Sequence, residues 1–452
     1  MRLVQLGELA SIVRGISFPK EDKRSEPLPG HVACLRTTNV QRSVEWDDLW
    51  FVPEGHVKRE EQFVRTGDIL ISTANSYELV GKVAPVHGLP HKATLGAFIS
   101  LIRPTDSVDP KFLYHQLAWG KTQGRIRETA STTTNISNVS TKKLLALDLF
   151  VPELDEQRRI VAEIDKQFSR LDEAVANLQR VKANLKRYKA AVLKAAVEGR
   201  LVETEASIAR REGRSYETGE QLLRRVLVDR KTNWAGKGKY VEPAMPDLGS
   251  LPALPEGWIW ATAEAVCDPV VDCHNKTAPY VNSGIPLVRT TNIRDGQLLM
   301  DGMRFVDQPT YEFWSRRCPP APGDVLFTRE APMGEACIVP AGMTVCLGQR
   351  TMLMRPSPAI TASFLLSALM SPVIGNLIDR VAVGSGVKHL RVGDVERLPI
   401  PLPPKAEQLR IVTELDRLLS VQQTVEAEVD ANLHRAATLR AAVLSRSFQS
   451  TD

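Results

Sequence analysis

Two long stretches of the chain carry apolar residues in a four-three heptad pattern. The pattern persists over five heptads in both stretches, and the two registers superimpose when 251 is subtracted from the later residue numbers. Such persistence predicts coiled-coil helices. The predicted core positions are Ile160, Gln167, Ala174, Val181, Tyr188, Ile164, Leu171, Leu178, Leu185 and Val192 in the first helix, and Ile411, Leu418, Val425, Asn432, Leu439, Leu415, Gln422, Val429, Ala436 and Val443 in the second.

Both helical stretches open on related sequences. Residues 150–165 and 401–416 are identical at eight of sixteen aligned positions. Proline at Pro152 and at Pro403 predicts a helix boundary just upstream of each entry. A self-similarity of this kind at one large offset predicts two copies of a unit made of a globular module and a helix.

The module before the first helix has short β-like runs separated by Gly, Pro and Asn turns. Strands are predicted within 68–72, 81–86 and 97–102, and a helix within 110–117. We therefore predict an α+β fold with a mostly antiparallel or mixed sheet.

The second module repeats the landmarks of the first in the same order. Arg36–Asn39 returns as Arg289–Asn292, and Gly67-Asp68 returns as Gly323-Asp324. The segments between the landmarks differ. This pattern predicts one scaffold that carries different loops, as two domains that read different targets would need.

These patterns predict five regions. They are a first module (1–152), a first spacer helix (153–200), a connector with one short helix from Thr218 (201–254), a second module (255–404) and a second spacer helix (405–452). Each of the two spacer-helix regions is expected to hold a helix of about 40 residues, which at about 1.5 Å per residue is about 60 Å long. We expect the two helices to pair antiparallel within the chain and to separate the modules, with pairing between two chains as the alternative.

Composition and charge exclude some classes of protein but do not identify a function. The chain has 452 residues, is 43% hydrophobic and carries a formal net charge of +5, which alone does not identify a nucleic-acid binder. The sequence contains no run of eighteen apolar residues, so no membrane span is predicted. The amino terminus lacks the apolar core of a secretory signal, and a cytoplasmic location is therefore expected. Cys267, Cys273 and His274 fit no zinc spacing, and we expect reduced thiols and no metal site.

Motifs of catalysis are missing from the sequence. There is no phosphate-binding loop of the G-x-x-x-x-G-K-[ST] type, no dinucleotide fingerprint, no nucleophile elbow and no H-E-x-x-H. The Asn/Asp-Pro-Pro-Tyr/Phe tetrapeptide of adenine methyltransferases does not occur either. We expect a binding scaffold and no catalytic residues.

Candidate DNA-contacting residues fall into two groups. The repeated Arg-Thr-Thr-Asn segments hold side chains that suit base edges, although a role in the scaffold or in phosphate contact is the alternative. The divergent segments after the Gly-Asp landmark and before each helix are better candidates for specificity, with ordinary turn chemistry as their alternative. The candidates are Arg36, Thr37, Thr38, Asn39, Thr73, Asn75, Ser76, Tyr77, Thr134, Asn135 and Asn138 in the first module, and Arg289, Thr290, Thr291, Asn292, Arg329, Ser385, Lys388 and His389 in the second.

The order of these motifs resembles the specificity subunits of type I restriction-modification systems. The resemblance rests on the helix entries at Pro152/Gln157 and Pro403/Gln408, on 254–258 and on the Gly-Asp landmarks, and it covers essentially the whole chain. It implies a subunit without catalysis, with two target recognition domains for a bipartite, asymmetric double-stranded DNA target. The long connector (201–254) departs from the family pattern and leaves partner docking there in doubt.

The resemblance also implies partners. Two modification subunits would bring S-adenosylmethionine and dock on the helices. Restriction subunits can join such complexes and use ATP and magnesium. No cofactor is expected on this chain. The helix positions proposed for the core or for docking are Ile160, Ile164, Leu171, Leu178, Leu185, Ile411, Leu415, Leu418, Val425 and Val429.

Three alternatives stay open at this point. The chain could serve a methylation-only system, could be a coiled-coil scaffold that binds proteins instead of DNA, or could hide nuclease or methyltransferase chemistry in its modules. Steep salt dependence of duplex binding distinguishes the DNA reader from the protein scaffold, because neutralised phosphates release counterions.

Overall fold

The computed structural model describes residues 2–133, 136–236, 238–384 and 386–449. Two compact units divide the chain: unit 1 comprises 1–180 and 429–452, and unit 2 comprises 181–428. The helices are α1 (Leu6–Leu9), α2 (Pro110–Ala118), α3 (Gly120–Glu128), α4 (Thr141–Leu145), α5 (Leu154–Val197), α6 (Glu205–Glu212), α7 (Gly219–Thr232), α8 (Ala263–Val266), α9 (Gln308–Trp314), α10 (Ala362–Leu369), α11 (Pro372–Val381), α12 (Val392–Glu396) and α13 (Lys405–Gln449).

Twenty-three short strands make up the sheets of the described chain. In the first module they are β1 (Arg2–Gln5), β2 (Ala10–Arg14), β3 (His31–Leu35), β4 (Trp50–Pro53), β5 (Ile69–Ser72), β6 (Ala74–Asn75), β7 (Val83–Pro85), β8 (Ala93–Leu95), β9 (Ile99–Pro104), β10 (Ala130–Thr133), β11 (Ile136–Val139) and β12 (Asp148–Val151). In the second they are β13 (Ile259–Thr262), β14 (Cys267–Asp272), β15 (Ile285–Val288), β16 (Ile293–Arg294), β17 (Gln297–Leu298), β18 (Arg304–Val306), β19 (Val325–Thr328), β20 (Ala336–Ile338), β21 (Cys346–Leu347), β22 (Thr351–Pro356) and β23 (Pro399–Leu402).

The two modules share one sheet topology. The four-stranded sheet β2-β9-β5-β7 of the first module corresponds to β14-β22-β19-β20 of the second. The three-stranded sheet β4-β3-β8 corresponds to β18-β15-β21, and in both sheets one strand pair is antiparallel and the other is parallel. The predicted mixed α/β fold with an internal repeat is confirmed.

In each module, the aspartate of the Gly-Asp landmark forms an ion pair with an arginine that precedes a proline; the carboxylate is buried and the guanidinium is partly exposed. The Asp68 carboxylate accepts from Arg103 Nε at 2.8 Å and Nη2 at 2.7 Å, and Asp324 makes the same two bonds with Arg355. Each aspartate also accepts a backbone N–H three residues upstream, and each preceding glycine has a positive φ. The repeated residues therefore fix a tight turn before β5 and before β19.

The glutamine of each helix entry joins its long helix to the module. Gln157 donates to the Pro152 carbonyl and accepts the Asp109 N–H at the start of α2, both at 2.8 Å. Gln408 repeats this role between the Pro403 carbonyl and the Thr361 N–H, at the start of α10. Both glutamines are almost fully buried, so the duplicated entry sequence encodes a duplicated joint.

Within unit 1, the start of α5 packs beside the end of α13. Ile164 and Val161 share one core cluster with Phe448, whose ring meets that of Phe112 edge-on at 5.7 Å. Arg440 pairs with Asp172 and lies 4.5 Å from the Phe168 ring. The two segments therefore run antiparallel in this unit.

Within unit 2, the same arrangement holds with the helix ends exchanged. The end of α5, from Val192 to Val197, shares a core cluster with Ile411 and Leu415 at the start of α13. In each unit the pairing is thus antiparallel and lies within one chain.

The apolar seam of the helices is narrower than the heptads predict. Core positions in the series of Ile164 and Leu415 are buried or half-buried throughout, whereas the series of Ile160 and Ile411 emerges into solvent along the helices. A pair of helices without a third neighbour buries only a narrow stripe of each. The prediction of core burial is therefore wrong for Ala174, Val181, Tyr188, Val425 and Leu439.

The connector contains two helices where one was predicted. Thr218 caps α7 in a capping box with Gln221, at the spacing read from the sequence, and α6 was not anticipated. Leu222, Leu223 and Val226 of α7 pack into the core of the second module. Among the described helices none is long and apolar enough to cross a membrane alone, although the bent pair α10–α11 passes on length and composition.

Candidate nucleic-acid interface

The repeated Arg-Thr-Thr-Asn segments form equivalent turns after β3 and β15. In the first, Asn39 Oδ1 accepts the Arg36 N–H at 2.8 Å, and its Nδ2 donates to two carbonyls of the following loop. Asn292 makes the same bonds in the second turn, and both side chains are at most 2% exposed. The asparagines hold the scaffold, which favours the structural alternative for these two candidates.

The arginines of these turns also bind within their modules. Arg36 Nη2 lies 2.6 Å from the Asp48 carboxylate, and its guanidinium stands 4.5 Å from the Trp50 ring. Arg289 Nη2 donates to the Gly302 carbonyl at 2.8 Å. Thr37 and Thr290 are half-buried, and Thr290 donates to a carbonyl within its module. Solvent-exposed hydroxyls remain at Thr38 and Thr291.

In the first module, the two divergent segments lie side by side. β6 pairs antiparallel with β11, and β11 pairs with β10, so that Ala74 faces Asn138 and Asn75 faces Ser137. Thr73 joins this sheet through its carbonyl, which accepts the Val139 N–H. Among the candidates, Tyr77 and Asn138 are exposed, and Thr73, Asn75 and Ser76 are half-buried. Thr134 and Asn135 lie outside the described residues.

A cavity of about 560 Å³ opens beside this sheet and the first Arg-Thr-Thr-Asn turn. Its walls combine aromatic and cationic side chains, from Phe18, Lys20, Lys23, Arg36, Trp50 and Phe98. The Lys23 ammonium stands 3.8 Å from the Trp50 ring centre, and Phe98 is 63% exposed. The sequence reasoning missed all of these except Arg36. Clustering of Phe18, Lys20 and Lys23 in one short segment was the available signal.

In the second module, the corresponding segments also meet. Isolated β-bridges join His389 to Glu330 and to Val383. Arg329 is only 15% exposed, pairs with Asp272 at 3.0 Å and donates to the Leu390 carbonyl. Its guanidinium thus ties the two segments together. Lys388 is exposed and His389 is half-buried, while Ser385 lies outside the described residues.

The thiols of the molecule are poor nucleophiles. All six cysteines are free and buried. Burial raises the pKa of Cys34 to about 12 and that of Cys346 to about 11. In the described parts of the chain, no three His, Cys, Asp or Glu side chains lie together as metal ligands. Buried thiols with raised pKa values are unsuited to nucleophilic chemistry.

Comparison with known proteins finds type I specificity subunits among the relatives of this chain. Residues 316–435 match the model of the type I restriction modification DNA specificity domain. The type I restriction enzyme EcoKI specificity subunit of Escherichia coli K12 is 24% identical over 99% of this chain and 88% of its own length. The chain is similar to type I specificity subunits along almost its whole length. A further specificity subunit, StySPI of Salmonella potsdam, is 30% identical over 43% of this chain and 42% of its own length.

Solved structures share the fold of this chain. A chain from a type I restriction-modification complex matches with a TM-score of 0.63 at 19% identity, and covers 99% of this chain and 97% of that chain. The HsdS subunit of Thermoanaerobacter tengcongensis matches with a TM-score of 0.51 at 18% identity, over 100% of this chain and 97% of that chain. The likeness therefore extends over the whole chain.

Proposed function

We propose that this chain reads a bipartite, asymmetric duplex DNA target, with one half-site for each module. The observation that carries the proposal is one scaffold with two different surfaces. Landmark ion pairs, turns and helix joints recur in both modules, whereas the segments around Thr73 and Arg329 differ in sequence and in hydrogen bonding. Two such modules in one chain suit two different half-sites.

Linking the modules supports recognition energetically. A few base contacts give each module about 1–3 kcal/mol of discrimination per base pair. Both modules bind one duplex together only when the half-sites have a matching spacing, because a stiff link raises the effective concentration only there. We propose that α5 and α13 set this spacing.

The chain acts, in this proposal, without catalysis of its own. It positions two modification subunits, on which S-adenosylmethionine is expected, and restriction subunits with ATP and Mg²⁺ can join. The exposed apolar residues along the helices, such as Val181, Tyr188 and Val425, suit contact with these subunits. We therefore expect the purified chain alone neither to methylate nor to cut DNA.

Methylome sequencing of cells with and without this gene tests the proposal. We expect one bipartite adenine-methylation motif to disappear on deletion and to return when the gene is restored. An unchanged methylome in the deletion strain would contradict the role in modification. If the strain that carries the gene methylates the motif but does not restrict unmethylated phage DNA, the chain belongs to a methylation-only system.

A further inference from the structure

Phe98 and Arg350 occupy equivalent backbone positions in the two modules. Each lies two residues after a repeated Leu-Gly pair, at Gly96 and at Gly348. The Phe98 carbonyl accepts the Thr73 N–H at 2.9 Å, and the Arg350 carbonyl accepts the Arg329 N–H at 2.8 Å. Thr73 and Arg329 themselves stand six residues after the Gly-Asp landmark glycines. The correspondence therefore rests on sequence and on hydrogen bonding.

Both side chains project from the surface that the divergent segments build. Phe98 is 63% exposed, and it borders both the cavity and the Thr73–Ala74 segment. The Arg350 side chain is 54% exposed and pairs with Glu330, which bridges to His389. Arg350 also has a φ of +66°, in the left-handed region that arginine rarely adopts. Such a conformation is more often found at functional positions than elsewhere.

A neighbouring position shows the same exchange of chemistry. Cys34 stands two residues before Arg36, and its cross-strand partner is Trp50. Leu287 stands two residues before Arg289, and its cross-strand partner is Arg304. The first module thus places an aromatic ring at both positions, and the second places a guanidinium at both. The scaffold is the same, so the exchange changes the surface and not the fold.

We propose that positions 98 and 350 are equivalent base-contacting positions that help to set the two half-sites. Phe98 contacts an A·T pair through its thymine methyl group, since a phenyl ring offers no hydrogen bond. Arg350 leaves Glu330 and donates both of its terminal N–H groups to guanine. This inference rests on the proposed function, and it names the bases that each surface favours.

The test is a binding selection from a pool of random duplex DNA, made with the full chain and its modification subunits. The wild-type complex is expected to enrich a thymine in one half-site and a guanine in the other. Phe98→Arg should replace that thymine by guanine, and Arg350→Phe should abolish the guanine preference. Each replacement should leave the other half-site unchanged.

Duplexes with base analogues test which atoms of the bases are contacted. Uracil in place of the thymine removes only the methyl group and should weaken binding of the wild-type complex about threefold or more, but should not affect Phe98→Ala. Likewise, 7-deazaguanine in place of the guanine should weaken the wild-type complex and not Arg350→Ala. Equal sensitivity of wild-type and alanine variants to these analogues would overturn the proposal.

Two controls separate the outcomes. Phe150→Ala trims another exposed phenylalanine of unit 1, in β12 opposite Leu3, and should leave both half-sites unchanged.

If Phe98→Arg lowers the melting temperature, Phe98→Ala is used in its place, and unchanged thymine discrimination by that variant overturns the inference. A wild-type complex that enriches two half-sites but none altered by these variants overturns only this inference. A wild-type complex that enriches no motif overturns the proposed function and this inference with it.

Discussion

At the scale of single residues, the buried side chains of the repeated landmarks stabilise the scaffold, whereas some divergent side chains, such as Phe98 and Lys388, face solvent. Four repeated side chains are at most 3% exposed and form their hydrogen bonds within the modules: Asp68, Asp324, Asn39 and Asn292. Buried polar groups of this kind stabilise a fold because their partners would otherwise remain unsatisfied. Recognition is thus left to side chains that the scaffold does not need.

Replacing the landmark aspartate should destabilise either module strongly. Asp68→Asn and Asp324→Asn each leave an arginine without its carboxylate, which should cost about 3 kcal/mol of unfolding free energy. Urea denaturation monitored by circular dichroism measures the loss. Asp155→Asn removes a carboxylate that is 98% exposed and pairs with Arg158 on α5, and it should change stability by less than about 0.5 kcal/mol. Equal effects of the buried and exposed replacements would contradict the structural role of the landmark.

His115 should make unit 1 sensitive to acid. It lies at 5% exposure on α2, edge-on to Phe168 of α5 and 3.6 Å from the Asp165 carboxylate. Burial lowers the pKa of His115 from 6.5 to about 4, although Asp165 acts in the opposite direction. Because the unfolded chain binds the proton first, stability should fall as the pH falls from about 6.5 toward 4, by up to ~3 kcal/mol.

Denaturation at several pH values tests this dependence. His115→Gln should flatten the decline between pH 6.5 and 4, while His87→Gln, at an exposed histidine, should leave it as in the wild type. A decline that His115→Gln leaves unchanged would assign the acid sensitivity to other groups.

At the scale of elements, sequence reasoning was most accurate where a pattern depends on backbone periodicity. The heptads predict α5 and α13, because local spacing alone determines which side chains of a helix share a face. Short β-like runs bounded by turn residues predict β5, β7 and β9. The exposure of Tyr188 and Val425 was not predictable in this way, since it depends on how many neighbours surround the helix pair. The cavity at Trp50 and Phe98 was missed because it unites residues that are distant in sequence.

The connector should be essential for unit 2 alone. Glu407 of α13 is fully buried and accepts the Glu205 N–H at 2.8 Å and the Trp258 Nε1–H at 3.0 Å, while burial raises the pKa of its carboxyl group. Glu156, at the equivalent position of α5, pairs with Arg159 near the surface. The same helix-entry residue therefore binds the connector in one copy and solvent-facing groups in the other.

Matched replacements test this asymmetry. Glu407→Ala should leave two buried donors without an acceptor and lower the unfolding free energy by about 2–4 kcal/mol, whereas Glu156→Ala should change it by less than about 0.5 kcal/mol. Limited proteolysis should then cut the Glu407→Ala variant within 200–254 faster than the wild type. Similar losses of stability in both variants would mean that the connector is not held by Glu407.

At the scale of the whole molecule, the account depends on duplication. Two modules of one topology and two helices with corresponding entries suit one chain that reads two half-sites at a fixed spacing. Duplication was visible in the sequence because its landmarks are the residues that build the scaffold. The identity of the half-sites was not visible, because the proposed contact surface is assembled by tertiary structure from segments that differ between the two modules.

The spacing of the half-sites tests this central claim most directly. Removing one heptad from each helix, residues 174–180 and 425–431, shortens both by seven residues, or about 10 Å. In a binding selection with half-sites at variable separation, we expect the wild-type complex to prefer one spacing. The shortened complex should prefer one that is about 3 bp smaller, or lose bipartite binding altogether while each half-site is still bound. An unchanged spacing preference in the shortened complex would contradict the account.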